Sequence, residues 1–385
     1  MGKKALVSLV VGVFLAVSAA SVQAADPIKL GAYFDLTGPS AAIGTPTKLV
    51  AEMVVKKINQ EGGIHGRPLQ LVIADDEGDP TKAAIIAKKF IETDKVTAII
   101  GPTRTDTGMA SKPIIEQMKV PAFMCVGGDP VITVPPFRFT FKSPQRTSIA
   151  VKKTFEYMKK KGIQRIALIT AADGFGRDGK NWLEKLAPDY GLKIVANESF
   201  QVTDNDMTPQ LIKMKAQSPE AIVCWTIGKA GAIVAKNVKQ LAVPTPLFQC
   251  HGLPDPIYIQ LAGEAAEGNL MPSTKLMVAR QLPDTDVQKK VILEFIRLYS
   301  EVYQYDKQFP INTHSGYAWD AIYIVAHALK KAGTNNEALR DAIEQTKGYV
   351  GVSGVYNLSP EDHNGLGTDS MVMVQITRGQ WKRVD

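Results

Sequence analysis

The sequence predicts an α/β fold of two doubly wound, parallel-sheet lobes, and three observations predict it. Short β-rich runs alternate with amphipathic helical stretches at the spacing of βαβ units. The strand runs are almost wholly apolar, as in sheets covered by helices on both faces. The chain has 385 residues, long for one hydrophobic core, and the alternation falls into two series.

In chain order, the first series places strands at 28–34 (IKLGAYF), 69–74, 96–101 (VTAIIG) and 121–126 (PAFMCV), with helices over 47–61, 81–94 and 107–119. It ends near 137–141 (FRFTF), and the second begins near Ser143-Pro144. The second places helices over 148–161, 179–190, 208–216 and 229–241 and strands at 165–170, 193–200, 221–227 and 247–250. After Gly268 the pattern changes to helices over 284–303, 314–332 and 335–347, then β-like pieces at 351–358 and 371–376. Helices and returning strands after a second βα series indicate a chain that crosses between its lobes more than once. There is no low-complexity tract and no short-period repeat.

The N-terminus reads as a secretory signal peptide over residues 1–24. Lys3 and Lys4 form a positive region, 5–20 (ALVSLVVGVFLAVSAA) an apolar one, and Ser21-Val22-Gln23-Ala24 a small-residue cleavage site before Ala25. The apolar run is short for a bilayer span of about 20 residues, and Asp26-Pro27 follows it. No cysteine stands at the cleavage point to carry a lipid, so the expectation is a soluble, exported protein with no lipid anchor.

Formal net charge is +7, with basic patches interleaved among acids. No focused basic stripe with stacking aromatics is present, so nucleic-acid binding is not expected. The cysteines, Cys125, Cys224 and Cys250, lie in or at the end of apolar strand-like runs and read as small buried hydrophobes. No Cys or His spacing suits a metal, so neither metal nor cofactor is expected.

In open α/β sheets, ligands bind beyond the carboxyl ends of the strands. The segments at those ends are 35–44, 101–108, 126–130, 171–176, 225–228 and 250–252. The 103–107 loop (TRTDT) gathers hydroxyls and free amides at a helix N-terminus, where an anion is favoured; N-capping by Thr105 or Asp106 is the alternative. Gly127-Gly128 allows close backbone approach, or is a plain turn. Phe175 and Trp225 suit a hydrophobic ligand or the core. Asp75-Asp76-Glu77 is a solvated turn or an acidic pair for metal or acid–base work. No Walker A, GxSxG or HExxH motif is present. His251 is the histidine placed at a strand end.

These loops resemble a known family. Leu36-Thr37-Gly38-Pro39, the 59–69 segment (NQEGGIHGRPL), Asp75-Asp76 and 98–102 (AIIGP) are similar to the periplasmic leucine/isoleucine/valine-binding proteins, type I solute-binding subunits of branched-chain amino acid ABC importers. The resemblance spans essentially all of the chain after the signal peptide. It implies a type I periplasmic binding protein with lobes joined by a three-stranded hinge, lobe 1 being 25–142 plus 275–369 and lobe 2 being 143–274 plus 370–385. It also implies a cleft that closes on its ligand, a monomeric protein without catalytic activity, and docking on permease subunits in the inner membrane.

Carried over, the carboxylate clamp falls on the loop Thr103 to Thr107, with Thr103, Arg104 and above all the Thr105 hydroxyl as expected contacts, and further contacts fall at Val126, Gly127 and Gly128. Ile43 takes the covering position of the first loop. Phe175 takes the second lobe's aromatic contact, and Trp225, Ile227, His251 and Gly252, read from their strand-end positions, complete the expected second-lobe face. The family's amino-acid binders hold the ligand ammonium with a hydroxyl near Gly128 and an acid near His251-Gly252. This chain has Gly and His-Gly there, and a desolvated ammonium without an acceptor is costly. Asp129 or Asp255 could serve instead; otherwise the ligand lacks an amino group. The expected ligand is therefore a small carboxylate, either a branched-chain or hydrophobic amino acid or an amino-group-free aromatic or aliphatic carboxylate. Two other readings are a ligand-sensing subunit that signals to a membrane receptor and a secreted hydrolase or redox enzyme using His251 or Cys250.

Overall fold

The computed structural model describes residues 26–385, so the signal-peptide reading of 1–24 lies outside the described residues. The first half of the chain forms strands β1 (Ile28–Phe34), β2 (Leu69–Asp75), β3 (Ala98–Ile100), β4 (Ala122–Met124) and β5 (Thr140–Lys142), joined by helices α1 (Ala41–Gln60), α2 (Pro80–Glu92), α3 (Thr105–Met118) and α4 (Pro130–Thr133). The strands make an all-parallel sheet in the order β2-β1-β3-β4-β5.

The chain then forms α5 (Thr147–Lys160), β6 (Arg165–Ala171), α6 (Gly174–Leu186), β7 (Lys193–Phe200), α7 (Thr208–Ala216), β8 (Ala221–Trp225), α8 (Lys229–Gln240), β9 (Leu247–Gln249), α9 (Pro256–Ala262) and β10 (Leu270–Thr274). Next come α10 (Lys289–Ile296), continued by a wider turn over Arg297–Val302, then α11 (Tyr317–Ala332), α12 (Asn336–Glu344) and the two-residue strands β11 (Tyr349–Val350) and β12 (Val355–Tyr356). Strands β13 (Met371–Thr377) and β14 (Gln380–Arg383) close the chain.

The second sheet has the order β14-β13-β10-β9-β8-β6-β7. It is parallel through β10, after which β13 and β14 add antiparallel. Helix α11 packs on α1 and β3 of the first sheet, although β10 before it and β13 after it belong to the second. The predicted α/β class of two sheet lobes therefore holds. The helix expected over 47–61 begins six residues earlier, at Ala41, because α1 carries Pro46 inside its first turns. The expected strand ends at 101, 126 and 227 are loop. Strands β5, β10 and β14 are short or lie at a sheet edge, and their apolar patterns are correspondingly weak.

The strands crossing between the sheets are bound to one another. Lys142 N–H donates to His363 O, Asn364 Nδ2 donates to Lys142 O and Pro144 O, and the Tyr356 hydroxyl donates to Ser143 O. Asp320, fully buried on α11, accepts the Val352 and Ser353 amides. Lys142 itself has no exposed side-chain surface. Its Nζ donates to Gly127 O at 2.6 Å and Gln145 O at 2.8 Å and lies 3.5 Å from Asp129 Oδ1. Asp129 accepts the Thr147 amide at 2.7 Å and the Ser148 hydroxyl at 2.9 Å at the start of α5.

Neutralising Asp129 strands a buried ammonium, and removing one partner of such a pair costs about 3–5 kcal/mol. Asp129→Asn is accordingly expected to lower the unfolding free energy by about that much, read from urea denaturation. A change under about 1 kcal/mol would refute the role given to this pair.

Candidate functional site

A narrow cavity of about 20 Å³ lies between the two sheets, beyond the carboxyl ends of β1, β3, β4, β6, β8 and β9. Its walls include Ile43, Thr103, Arg104, Thr105 and Gly127 from the first-sheet side, and Phe175, Ile227, His251 and Gly252 from the second. These are sequence-expected positions. Val126, Gly128 and Trp225 are not on the wall. Val126 is fully buried in the smaller core beneath α3. Gly128 stands behind Thr105, where a Cβ would come within 2.5 Å of Thr105 Cγ2. Trp225 is fully buried and backs both Phe175 and His251, with ring centroids at 6.0 and 5.5 Å.

One end of the cavity is the N-terminus of α3. Its cap residue is Arg104, extended and without a side-chain cap, so neither Thr105 nor Asp106 caps the helix. The first-turn amides keep their donors and the positive end of the helix dipole. Thr105 Oγ1 accepts the Gly128 amide at 3.1 Å, which leaves its own O–H to donate. The Thr103 hydroxyl, 7 % exposed, stands beside it. The arrangement is a hydroxyl-rich, donor-rich pocket suited to a carboxylate.

Charges near this end are already engaged across the interface. Arg104 Nη1 donates to Ser40 Oγ at 2.7 Å, and Nη2 faces Asp173 Oδ2 at 3.8 Å. Asp106 accepts the Gly174 amide at 3.1 Å and faces Arg177 at 3.5 Å. Asp173 also caps α6 through the Gly176 amide. The α6 start thereby aims Phe175 into the cavity, and Gly127 makes room for it: a Cβ there would lie 2.6 Å from Phe175 Cε2.

Neither alternative acid is free for an ammonium. Asp129 is held in the hinge. Asp255 caps α9 through the Ile257 amide at 2.7 Å and accepts Asn312 Nδ2 at 3.1 Å. It lies on an outer groove that continues from the cavity past Ile43, Arg104, Ile227 and Gly252. The wall contributed by the second sheet includes His251, 2 % exposed. Burial is the first cause that pushes its pKa well below the ordinary value, with Lys142 and His314 adding to it, so the ring is neutral. His314, also on the wall, donates from Nε2 to Gly252 O at 3.1 Å, and burial lowers its pKa to about 4.

The expectations missed Asp106, Cys125, Pro144, Asp173, His314 and Tyr317 as wall residues. Asp106 and Asp173 lay in segments already marked, and Asp173 carried the signal of an N-cap before a glycine-rich helix start. His314 and Tyr317 approach from the start of α11, far from any strand end, and nothing in the local pattern points to them. Asp35, Asp75 and Asp76 do cluster, with ligand atoms within 4.8 Å. Their oxygens accept loop amides of Leu36, Gly38, Ser40 and Gly78. Asp76 is fully buried, so this is a loop-tying cluster and not a solvated turn. Cys250 is buried, its thiol donates to Thr226 O, and burial pushes its pKa to about 12. That environment removes the thiolate an enzyme would need.

The chain matches the family model described as periplasmic binding protein over residues 27–380. It is 24% identical over 360 residues to the leucine-, isoleucine-, valine-, threonine- and alanine-binding protein of Pseudomonas aeruginosa, across 91% of this chain and 92% of that one. Among solved structures, an extracellular ligand-binding receptor from Rhodopseudomonas palustris HaA2 superposes with a TM-score of 0.85 at 29% identity, over 93% of this chain and 100% of the other. A branched-chain amino acid transporter substrate binding protein from Streptococcus pneumoniae, solved with isoleucine, gives a TM-score of 0.79 at 23% identity, over 93% and 99% of the two chains. That likeness is one of fold: the type I, two-lobed architecture.

The three cysteines are all buried. A thiol reagent at about pH 8 is expected to modify none of them in the native protein and all of them in denaturant. Fast native labelling of Cys125 or Cys250 would overturn the assigned burial. For His314, the folded pKa lies below the unfolded value of about 6.5, so the folded state binds fewer protons between the two. Its contribution to stability is full above about pH 6.5 and is lost as pH falls toward about 4. The stability difference between wild type and His314→Asn should therefore shrink across that window in paired thermal melts. A difference constant with pH would refute it.

Proposed function

We propose that this chain, which belongs to the periplasmic binding protein family, is the extracytoplasmic solute-binding subunit of an ABC importer and that its ligand is a small carboxylate without an amino group. The similarity to an amino-acid-binding protein and to a transporter substrate binding protein supports the transport role and the amino-acid alternative. The cleft supplies the preference for an amino-free acid. One observation carries that preference: the donor-rich end at Thr103, Arg104 and Thr105 has no free acid in company with it, because Asp106, Asp173, Asp129 and Asp255 are all engaged. A carboxylate gains hydroxyl and amide donors there, whereas an ammonium has to share carboxylates that already hold an amide and an arginine.

In this reading the ligand's apolar body lies against Ile43, Phe175 and Ile227. Closing the lobes assembles the wall from both sides, and the closed form presents a permease-docking surface. The periplasmic location and the cleaved leader belong to the same proposal. In this proposal one lobe is 25–142 with α10, α11 and α12, and the other is the second βα series with β13 and β14. We place the second crossing after Gln281 and not at 274/275, because Gln281 Nε2 donates to Trp381 O on β14 at 2.8 Å.

The test is a thermal-shift screen of ligand-stripped protein starting at Ala25. The panel holds leucine, isoleucine, valine, phenylalanine, benzoate, 4-hydroxybenzoate and short aliphatic keto acids. A true ligand at 1,000 times its Kd adds about 4 kcal/mol, a clear rise in midpoint. Stabilisation only by the amino acids would overturn the amino-free reading and leave the solute-binding role intact. For the ligand so found, Thr105→Val removes the donating hydroxyl at nearly constant shape. It should weaken binding about 10–100-fold by calorimetry, the equivalent of about 1.4–2.8 kcal/mol. Unchanged affinity would remove Thr105 from the clamp.

A further inference from the structure

We infer that the ligand carries a second, uncharged oxygen function, a hydroxyl or a carbonyl, set apart from its carboxylate by an apolar body, and that His251 is the residue that selects it. The inference rests on the carboxylate reading above and specifies what the rest of the ligand must be.

His251 is 2 % exposed and on the cavity wall, and among the described residues neither Nδ1 nor Nε2 has a hydrogen-bond partner. Buried polar groups are nearly always paired, and an unpaired one is costly. Of the neighbouring polar atoms, the Trp225 indole Nε1 is buried and makes no hydrogen bond to the ring or to any other group, and the others are engaged elsewhere. The Cys250 thiol donates to Thr226 O, the Gly252 amide is directed at Cys250 Sγ, and Gly252 O takes His314 Nε2. The ring's faces and edges are fixed by Phe175 and Trp225, at centroid distances of 5.4 and 5.5 Å. The imidazole cannot readily turn to find another partner, and its nitrogens are left to whatever enters the cleft.

The neutral ring offers one donor and one acceptor. A hydroxyl matches both roles and a carbonyl takes the donor. An ammonium finds no negative charge there. Phe175 sets the spacing: its Cε2 edge faces Gly127, beside the anion-binding end, and its Cε1 edge faces Gly252, beside His251. The two polar ends of the cleft thus lie on opposite edges of one aromatic ring, and a ligand spanning them has its oxygen functions at opposite ends.

The experiment measures affinities for matched pairs that differ only in the far oxygen: 4-hydroxybenzoate against benzoate, 5-hydroxypentanoate against pentanoate, and tyrosine against phenylalanine. Proteins are wild type, His251→Phe, which keeps an aromatic ring against Phe175 and Trp225, and His251→Gln, which keeps a donor and an acceptor. Wild type is expected to favour the oxygenated member at least tenfold, because its absence strands the imidazole. His251→Phe should erase or invert the preference, and His251→Gln should restore part of it. Equal binding within every pair that binds, or a preference that survives in His251→Phe, overturns the inference and leaves the carboxylate reading standing. Binding of leucine or valine with no response to any amino-free acid overturns both. If His251→Phe fails to fold, the wild-type preference and its retention in His251→Gln decide the matter, and loss of either refutes it.

Discussion

The buried ammonium of Lys142 is the constraint on which the rest depends. An unpaired charge in an apolar interior is untenable, so every group that satisfies it is held in place by the cost of leaving. Those groups are Gly127 O, Gln145 O and Asp129: the loop after β4, the first crossing strand and, through Asp129, the first amides of α5. Burial lowers the Lys142 pKa to about 8, which still leaves it charged at neutral pH. The Asp129 amide in turn donates to Asp178 Oδ2 at 2.9 Å. Asp178 lies one helical turn from Phe175 on α6, so one polar cluster fixes both the Gly127 side of the cleft and the aromatic opposite it.

The same economy explains the electrostatics of the cleft. Charged side chains are abundant on its wall, yet they pair across the interface between the lobes and leave few open valences. Among the groups left without a partner are the first-turn amides of α3, the Thr105 hydroxyl, Arg104 Nε and the two nitrogens of His251. A helix N-terminus favours negative charge without a counter-charge that would also attract water. A neutral imidazole at the other end favours an uncharged partner. On the proposed function, the cleft reads charge at one end and hydrogen-bonding capacity at the other, with Phe175, Ile43 and Ile227 between them measuring length and apolarity.

Much of this was legible in the sequence, for physical reasons that can be named. Strand–helix alternation and all-apolar strands follow directly from sheets covered on both faces, so the two βα series stood out, and β1 and β7 were delimited to the residue. Loops at carboxyl ends of strands are where open sheets place ligands, so Thr103–Thr105, Gly127, Phe175 and His251 could be found by position alone. Trp225 and Val126 could not be separated from wall residues that way. Whether the residue ending a strand turns into the cleft or back under a helix depends on the pleat and on the helix above it. His314 and Tyr317 escaped because they arrive from α11, and no periodicity reports that a helix start far along the chain returns to a cleft. Asp129 was mistaken for a candidate ligand acid because a sequence shows a carboxylate but not the buried lysine that claims it.

Under the proposed function, closure and specificity are one event in such a site. While the lobes are apart, water can serve the nitrogens of His251 and the amides at the start of α3, and a wrong ligand costs little. With Phe175 against Gly127, as here, water between them is excluded, and each group left without a partner carries a penalty of about 1–3 kcal/mol. Two such groups at opposite ends are enough to separate a matching ligand from a mismatched one by a few kcal/mol, which is the size of shift that moves a two-state equilibrium from mostly one form to mostly the other. The Arg104–Asp173 and Asp106–Gly174 contacts favour the closed form whatever is bound, so they cannot discriminate. Discrimination falls to the unpaired donors and acceptors. A ligand that satisfies both ends releases the closed state from its penalty, and one that satisfies a single end leaves the cleft held open by the cost of the other.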